Sequence, residues 1–398
     1  MSRVLLLIAA LALPQAAGAQ TSDEDFAACL AGLSERARNE GVAPAIIDRV
    51  VPAVEYQSRV IELDRQQPEF LATFGDYLST RVTEQRVARG RELYSEYADF
   101  LEELGERYQV PGRYLIAFWG LETNFGGYLG RMPTLDSLAT LACDERRSRF
   151  FSEQFVAALK MLEKEELEPD RLRGSWAGAM GHTQFMPTTY ARYAVDGDGD
   201  GRIDLFGSPR DALASGANFL QQLGWESGTR WGREVRLPKG FDFSKVGLGH
   251  SQPLSAWVDA GITRADGSAL PSLPLEASLL VPAGSVGPAF LVYSNFRVIM
   301  GWNRSEYYAL SVGHLADRIA GGGRLLQPPP DQRALSRAEV IAMQDQLRER
   351  GYPVGPSDGI MGATTRLALR QFQRDVGLTP DGFPDALTLS RLKGIQRQ

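Results

Sequence analysis

Glu122 is the residue whose type and position point most directly to chemistry. It lies in Tyr114-Leu115-Ile116-Ala117-Phe118-Trp119-Gly120-Leu121-Glu122-Thr123-Asn124-Phe125-Gly126-Gly127, an apolar stretch of helical period that ends in glycines. Trp119, Phe118 and Leu115 precede it by three, four and seven residues, so the one charge of the segment shares their buried side. Desolvation there favours the protonated acid. The negative end of the helix dipole, close by at Gly126-Gly127, acts in the same direction. A carboxyl group held neutral near pH 7 is what a general acid requires. The same pattern also describes a buried glutamate satisfied by a backbone amide or an arginine.

Other residue groups bear on that choice. Gly174-Ser175-Trp176-Ala177-Gly178-Ala179-Met180-Gly181 with Gln184-Phe185-Met186-Pro187 sets small residues beside aromatic and amide groups. Glycines permit close backbone approach, aromatics stack on sugar faces, and Ser175 and Gln184 can hydrogen-bond; Gly-Ala-rich helix packing gives similar strings. Asp196, Asp198 and Asp200 alternate with glycines and precede Gly201 and Arg202, the opening of an EF-hand calcium loop in which the residue at position seven offers its carbonyl. The twelfth position is Gly207 instead of Glu, so a set of solvated Asp-Gly turns is the competing reading. His182, His250 and His314 are far apart and form neither a zinc spacing nor a Ser-His-Asp pattern, and His182 is read as a packing or hydrogen-bonding residue. Cys29 and Cys143 are the only cysteines; either a disulfide or two separately buried thiols fits them.

The elements that must position these groups are mostly helical. Residues 24–108 carry a three-to-four apolar spacing, as in Leu93, Tyr97, Phe100 and Leu104. Residues 111–225 are helix-rich but broken by Gly, Asp and Pro loops. From 228 to about 291 the helical period fades into loops with a few strands, and helix returns over 305–319. Gly321-Gly322-Gly323 and Pro328-Pro329-Pro330 mark a linker of mixed flexible and stiff chemistry. Beyond it, Asp358-Gly359 with Gly362 and Thr365 is echoed by Asp381-Gly382 with Asp385 and Thr388, a weak repeat in a small helical unit. Its first helix opens with Ser336 and Glu339, the spacing of a capping box.

Composition bounds the function. The 398 residues carry a formal net charge of -6, which argues against nucleic acid as a partner. Residues 1–19 hold one positive charge, Arg3, then the apolar run Val4 to Leu13 and the small residues Ala16-Ala17-Gly18-Ala19. This is the pattern of a secretory signal peptide cut before Gln20. The run falls short of the roughly 20 residues of a membrane span, so no transmembrane anchor is expected. No cysteine near the cut could accept a lipid. Export would place both cysteines in an oxidising compartment.

Glu122-Thr-Asn-Phe-Gly, Gly178-Ala-Met-Gly with Gln184-Phe-Met-Pro, and Asn295-Phe296 followed by Trp302-Asn-Arg-Ser-Glu-Tyr-Tyr308-Ala together resemble the lytic murein transglycosylase B family, in order and without large gaps from about residue 26 to 319. The resemblance implies a mainly α (α+β) chain with a lysozyme-like helical catalytic core and a small loop- and strand-rich insertion. It also implies cleavage of the β-1,4 bond between N-acetylmuramic acid and N-acetylglucosamine with formation of a 1,6-anhydro end. Position by position it makes Glu122 the catalytic acid and base and gives substrate-positioning roles to Ser175, Gln184, Asn295 and Tyr308. In that family the carboxylate closing the calcium loop comes from slightly beyond it, which selects Asp211. Asp211 also fits as the third residue of a helix capped by Ser208 with Pro209 in its first turn. The metal set is then Asp196, Asp198, Asp200, Arg202 and Asp211, holding a structural calcium; no cofactor is expected for catalysis.

Asp358-Gly-Ile-Met-Gly362-Ala-Thr-Thr365-Arg-Leu-Ala368-Leu-Arg-Gln-Phe372-Gln373 resembles the peptidoglycan-binding domain common in cell-wall hydrolases. The expected organisation is a signal peptide over 1–19, a transglycosylase domain over 20–320, a linker over 321–333 and a three-helix wall-binding module over 334–398. The linker would act as a flexible tether that raises local enzyme concentration on a polymer. The expected setting is the periplasm, with peptidoglycan strands as substrate and proteins of cell-wall synthesis or remodelling as further partners. A hydrolytic muramidase and a non-catalytic wall-binding scaffold are the alternatives; loss of Glu122 would mark the latter, and Glu122 is present.

Overall fold

A computed structural model describes residues 23–66, 72–165 and 167–394; the expected export segment, 1–19, lies outside them. Helices dominate, and they form two apolar cores. The first core is built from Asp23–Asn39, Pro44–Val50, Ser58–Gln66, Thr134–Ala142 and Ser148–Lys164. Cys29 and Cys143 are joined by a disulfide within it, with Cα atoms 6.0 Å apart, so the first helix is bonded to the end of Thr134–Ala142. The second core gathers Phe74–Arg81, Glu84–Glu96, Ala98–Tyr108, Gly112–Thr123, Ser294–Trp302 and Glu306–Ile319. Thr73, Thr83 and Ser305 cap three of these helices by accepting a backbone N–H two or three residues into the helix, satisfying donors that would otherwise go unpaired.

Helix Pro209–Gln222 joins the two cores. Leu213, Ala214, Ala217 and Leu220 face the second, while Ala212 and Phe219 face the first. Ser208 caps it by accepting from Asp211 N, and Pro209 occupies its first turn.

Seven strands are present among the described residues. Met132–Pro133 (β1) and Arg173–Gly174 (β2) form a two-stranded antiparallel ribbon. Gly232–Arg236 (β3), Gln252–Pro253 (β4), Thr263–Arg264 (β5), Glu276–Leu280 (β6) and Ala289–Val292 (β7) form an antiparallel sheet in the order β4-β6-β7-β3-β5. Strands β6 and β7 are buried on both faces over most of their length. Leu279, Ala289 and Leu291 point into a core of the insertion's own, whereas Leu280, Phe290 and Val292 point into the second helical core. With no polar face, the two-residue alternation of a half-exposed strand is missing from the sequence, which is why this region reads there as loops.

The C-terminal module comprises Arg337–Glu349, Ala363–Asp375 and Ala386–Gly394, and both halves of the Ser336–Glu339 capping box are formed. Its internal repeat has a structural basis. Gln344 Nε2 donates to Asp358 Oδ1, Ile360 O and Thr365 Oγ1, and Gln344 Oε1 accepts from Gly359 N. Gln373 repeats this with Asp381, Phe383, Thr388 and Gly382. Each buried amide therefore ties an Asp-Gly turn to the next helix.

The linker is not a free tether, and this corrects the sequence expectation. Leu326 N and Gln327 N donate to the Glu234 carboxylate, Gln332 Nε2 donates to Ala283 O, and Arg324 pairs with Glu84 at 2.9 Å. The module itself is docked through Arg366–Glu306 at 2.9 Å and through Ser285 N donating to Asp381 Oδ2 at 2.8 Å. A linker carrying these bonds orients the module instead of letting it range.

Candidate active site

Helix Gly112–Thr123 is apolar on nearly every side because it runs through the second core. Its end is set by a turn in which Asn124, Phe125 and Gly126 take φ of 51°, 59° and 81°. The C-cap is Asn124, not the glycine pair, and Phe125 N closes back onto Trp119 O. Asparagine tolerates the left-handed region better than most residues. A Cβ on Gly126 would stand 2.3 Å from the His182 ring, so only glycine fits there.

Glu122 lies in the last turn of that helix, half-buried. Burial pushes its carboxyl pKa up to about 7, opposed by hydrogen bonds from Tyr308 and Trp302 and by the charge of Arg81. Tyr308 Oη donates to Glu122 Oε1; burial and the neighbouring carboxylate hold the phenol well above its ordinary pKa, so it stays a donor. None of the groups acting on Glu122 is a second carboxylate. Trp302 stacks on Phe118 with ring centroids 4.3 Å apart and also meets Phe185 and Phe219. It thereby fills the junction of the two cores beside the acid.

Residues 174–185 fold into a compact double turn that forms a wall beside helix Gly112–Thr123. Gly174 pairs with Met132 and bridges Met180, which bridges Phe185. A Cβ on Gly174 would lie 2.1 Å from Ala179 O. Ser175 Oγ accepts from Ala179 N at 3.1 Å. Gln184 takes φ of 50°, a conformation that a non-glycine residue adopts at some cost. Its Nε2 donates to Leu129 O and Gly181 O, which ties this wall to the segment following Glu122. His182 accepts from Trp119 Nε1 at 2.9 Å, and its carbonyl accepts from Thr123 Oγ1. Burial lowers its pKa; it is a neutral pin between the acid helix and this loop.

Asn295 is a correction. Its side chain is fully buried, Oδ1 accepts from Glu226 N, and Nδ2 donates to Glu226 O and Thr229 O, each at 2.8 Å. With its amide spent on that loop, Asn295 supports the fold and has no hydrogen-bonding group left for substrate.

In the acidic loop, Asp196, Asp198 and Asp211 bring carboxylate oxygens within 4.8 Å of one another. Asp200 and Arg202 stand outside this trio and are exposed, with Asp200 Oδ1 accepting from Arg202 N. Asp211 is 1% exposed and accepts from Gly197 N, Asp198 N and Asp204 N, and burial raises its pKa. Three hard oxygen donors, one deeply buried and none ion-paired among the described residues, make a set that fits calcium.

Residues 25–317 match the family described as Transglycosylase SLT domain, and 336–392 match a peptidoglycan binding domain. The chain belongs to the transglycosylase SLT family. A curated relative, membrane-bound lytic murein transglycosylase B of Escherichia coli, is 33% identical over 260 residues, covering 61% of this chain and 66%, just under two thirds, of that protein. The structure of SltB3 from Pseudomonas aeruginosa in complex with NAG-anhNAM-pentapeptide is 44% identical, with a TM-score of 0.88, and covers 92% of this chain and 99% of that one. The Escherichia coli lytic transglycosylase Slt35 in complex with calcium is 29% identical, with a TM-score of 0.64, and covers 73% and 92%.

Two groups beside Glu122 carried no assigned role in the sequence. Trp302 stands in Trp302-Asn303-Arg304-Ser305, where an aromatic beside an amide was the available signal. Arg81 ends Phe74–Arg81, distant in sequence from every motif; nothing local marked it.

Proposed function

We propose that this chain cleaves peptidoglycan between N-acetylmuramic acid and N-acetylglucosamine and leaves a 1,6-anhydromuramic acid end. The observation that carries this reading is a lone carboxyl group with a pKa near 7, with no second carboxylate among the groups acting on it. Two-carboxylate glycosidases need the second group as a nucleophile or to activate water. Here Glu122 gives its proton to the bridging oxygen as the bond from C1 of the muramic acid breaks. The ionised Glu122 then takes the proton of the C6 hydroxyl while that oxygen bonds to C1. No water is consumed, and the internal nucleophile gains from proximity. Tyr308, Trp302 and Arg81, which all favour the ionised acid, stabilise it between the two steps.

The enzyme acts outside the cytoplasm, in the periplasm, in wall remodelling and turnover; the pattern of residues 1–19 supports export, and no described helix is long and apolar enough to cross a membrane. Asp196, Asp198 and Asp211 hold a structural calcium that fixes the loop beside the Gln184 wall, a reading supported by the calcium complex of the Slt35 relative.

Digestion of purified sacculi followed by mass spectrometry tests the activity. Products one water lighter than their hydrolytic counterparts are expected; reducing-end products would identify a muramidase. Binding without cleavage would identify a scaffold. Glu122→Gln should lower turnover by orders of magnitude, and near-normal turnover in that variant would refute the assignment.

A further inference from the structure

Helix Ala363–Asp375 carries Arg366, Arg370 and Arg374 one turn apart, along the side of the module that meets the catalytic domain. Arg366 is paired with Glu306, and Arg374 is exposed. Arg370, between them, is half-buried and has neither an ion pair nor a side-chain hydrogen bond among the described residues. Of the two carboxylates whose charge reaches it, Glu306 holds Arg366, and Asp381 accepts from Ser285 N, Gln373 Nε2 and Phe383 N. Burial and the charges of Arg366 and Arg374 all disfavour its protonated form. A guanidinium kept in that setting is stabilised by an anion from outside.

Two glycines pack against it, one from either domain. Gly382 lies against the arginine, where a Cβ would stand 3.0 Å from Cγ and 3.4 Å from Nη1, and Gly247 of the catalytic domain faces Nη2, where a Cβ would stand 3.9 Å away. Both glycines have positive φ, 76° and 117°, so at these two points the guanidinium meets backbone that carries no side chain.

We propose that Arg370, in the seam between the wall-binding module and the strand-rich insertion, binds a carboxylate of the peptide carried by the glycan strand. The proposal rests on the peptidoglycan reading above. A planar guanidinium matches a carboxylate with two parallel hydrogen bonds, and the Arg366–Glu306 and Asp381–Ser285 contacts hold the seam in which it lies. A peptide-bearing strand is then preferred over a stripped one.

The test is direct binding to the full chain in a Glu122→Gln background, by calorimetry. The ligands are the disaccharide-pentapeptide, the same compound with its peptide carboxylates amidated, and the peptide-free disaccharide. Arg370→Gln should weaken binding of the first by roughly 10- to 100-fold and that of the peptide-free disaccharide by less than twofold. Arg370→Lys should fall between wild type and Gln. Amidation should reproduce the loss in the unmutated seam. Unchanged affinity in Arg370→Gln, an equal loss on both sugars, or tight binding of the amidated peptide would each overturn the proposal. Inorganic phosphate is the second source of such an anion: competition by phosphate without any effect of amidation would reassign the site to a phosphate-bearing polymer. Because binding is read without turnover, failure of the wild-type chain to cleave sacculi would sink the transglycosylase reading and leave this measurement standing.

Discussion

At the residue scale, Glu122 and Tyr308 form a pair whose two halves act in opposite directions. Burial keeps the acid protonated at neutral pH, while the phenolic O–H, donated to the carboxylate, favours the ionised form. Tyr308→Phe should therefore raise the Glu122 pKa further and move the alkaline limb of the kcat/KM profile upward by about one pH unit. A downward shift would mean that Tyr308 does not donate to the acid. The same burial has a cost in stability. Glu122 has an ordinary pKa of 4.5 and a folded pKa of about 7, so between those values the folded chain binds more protons than the unfolded one. Stability thus falls as pH rises from 4.5 to 7 and stays lower above that. Glu122→Gln should be more stable than wild type by roughly 2 kcal/mol at pH 8 and indistinguishable at pH 4 in urea melts. The apolar spacing around Glu122 was legible in the sequence because a helix repeats it locally. Trp302 and Arg81 come from helices far along the chain, and no local period could place them on the same carboxyl.

At the scale of elements, the acidic loop and the sheet make contrasting cases. The loop's Asp-Gly alternation is a local signal, and its first two acids do converge, but the third carboxylate of the cluster is Asp211, from the first turn of the next helix. Asp200, the fifth-position residue, lies outside the cluster, its Oδ1 accepting from Arg202 N. Chelator-stripped protein should melt several degrees lower than the calcium-loaded form, since a ligand at about 100 times its Kd adds about 2.7 kcal/mol. Asp211→Asn should abolish that response; an identical melting temperature with and without saturating calcium in the wild type would remove the site. The sheet was nearly invisible in the sequence for the opposite reason. Strands β6 and β7 lie between two apolar cores, so their outward positions are as apolar as their inward ones.

At the scale of the whole molecule, the disulfide and the docked module tie together segments far apart in sequence. Cys29 and Cys143 are separated by 114 residues, and a cross-link of that span restricts the unfolded chain strongly, by roughly 2–4 kcal/mol in typical cases. Cys29→Ser with Cys143→Ser should lower the urea midpoint accordingly while leaving Glu122 and Tyr308 in place, because those two belong to the second core; unchanged stability would show that the bridge is not formed in solution. The sequence by itself determined the acid, the glycine-rich wall, the calcium-type turns, the internal repeat of the module and the cysteines that could pair, since each is carried by residue type and short-range spacing. Only the tertiary structure decided that Asn295 is spent inside the fold, that Trp302 and Arg81 attend the acid, that the linker is pinned, and that Arg370 sits unpaired in a seam. Those outcomes depend on which distant helices and loops pack together, and packing of that kind leaves no period in the chain.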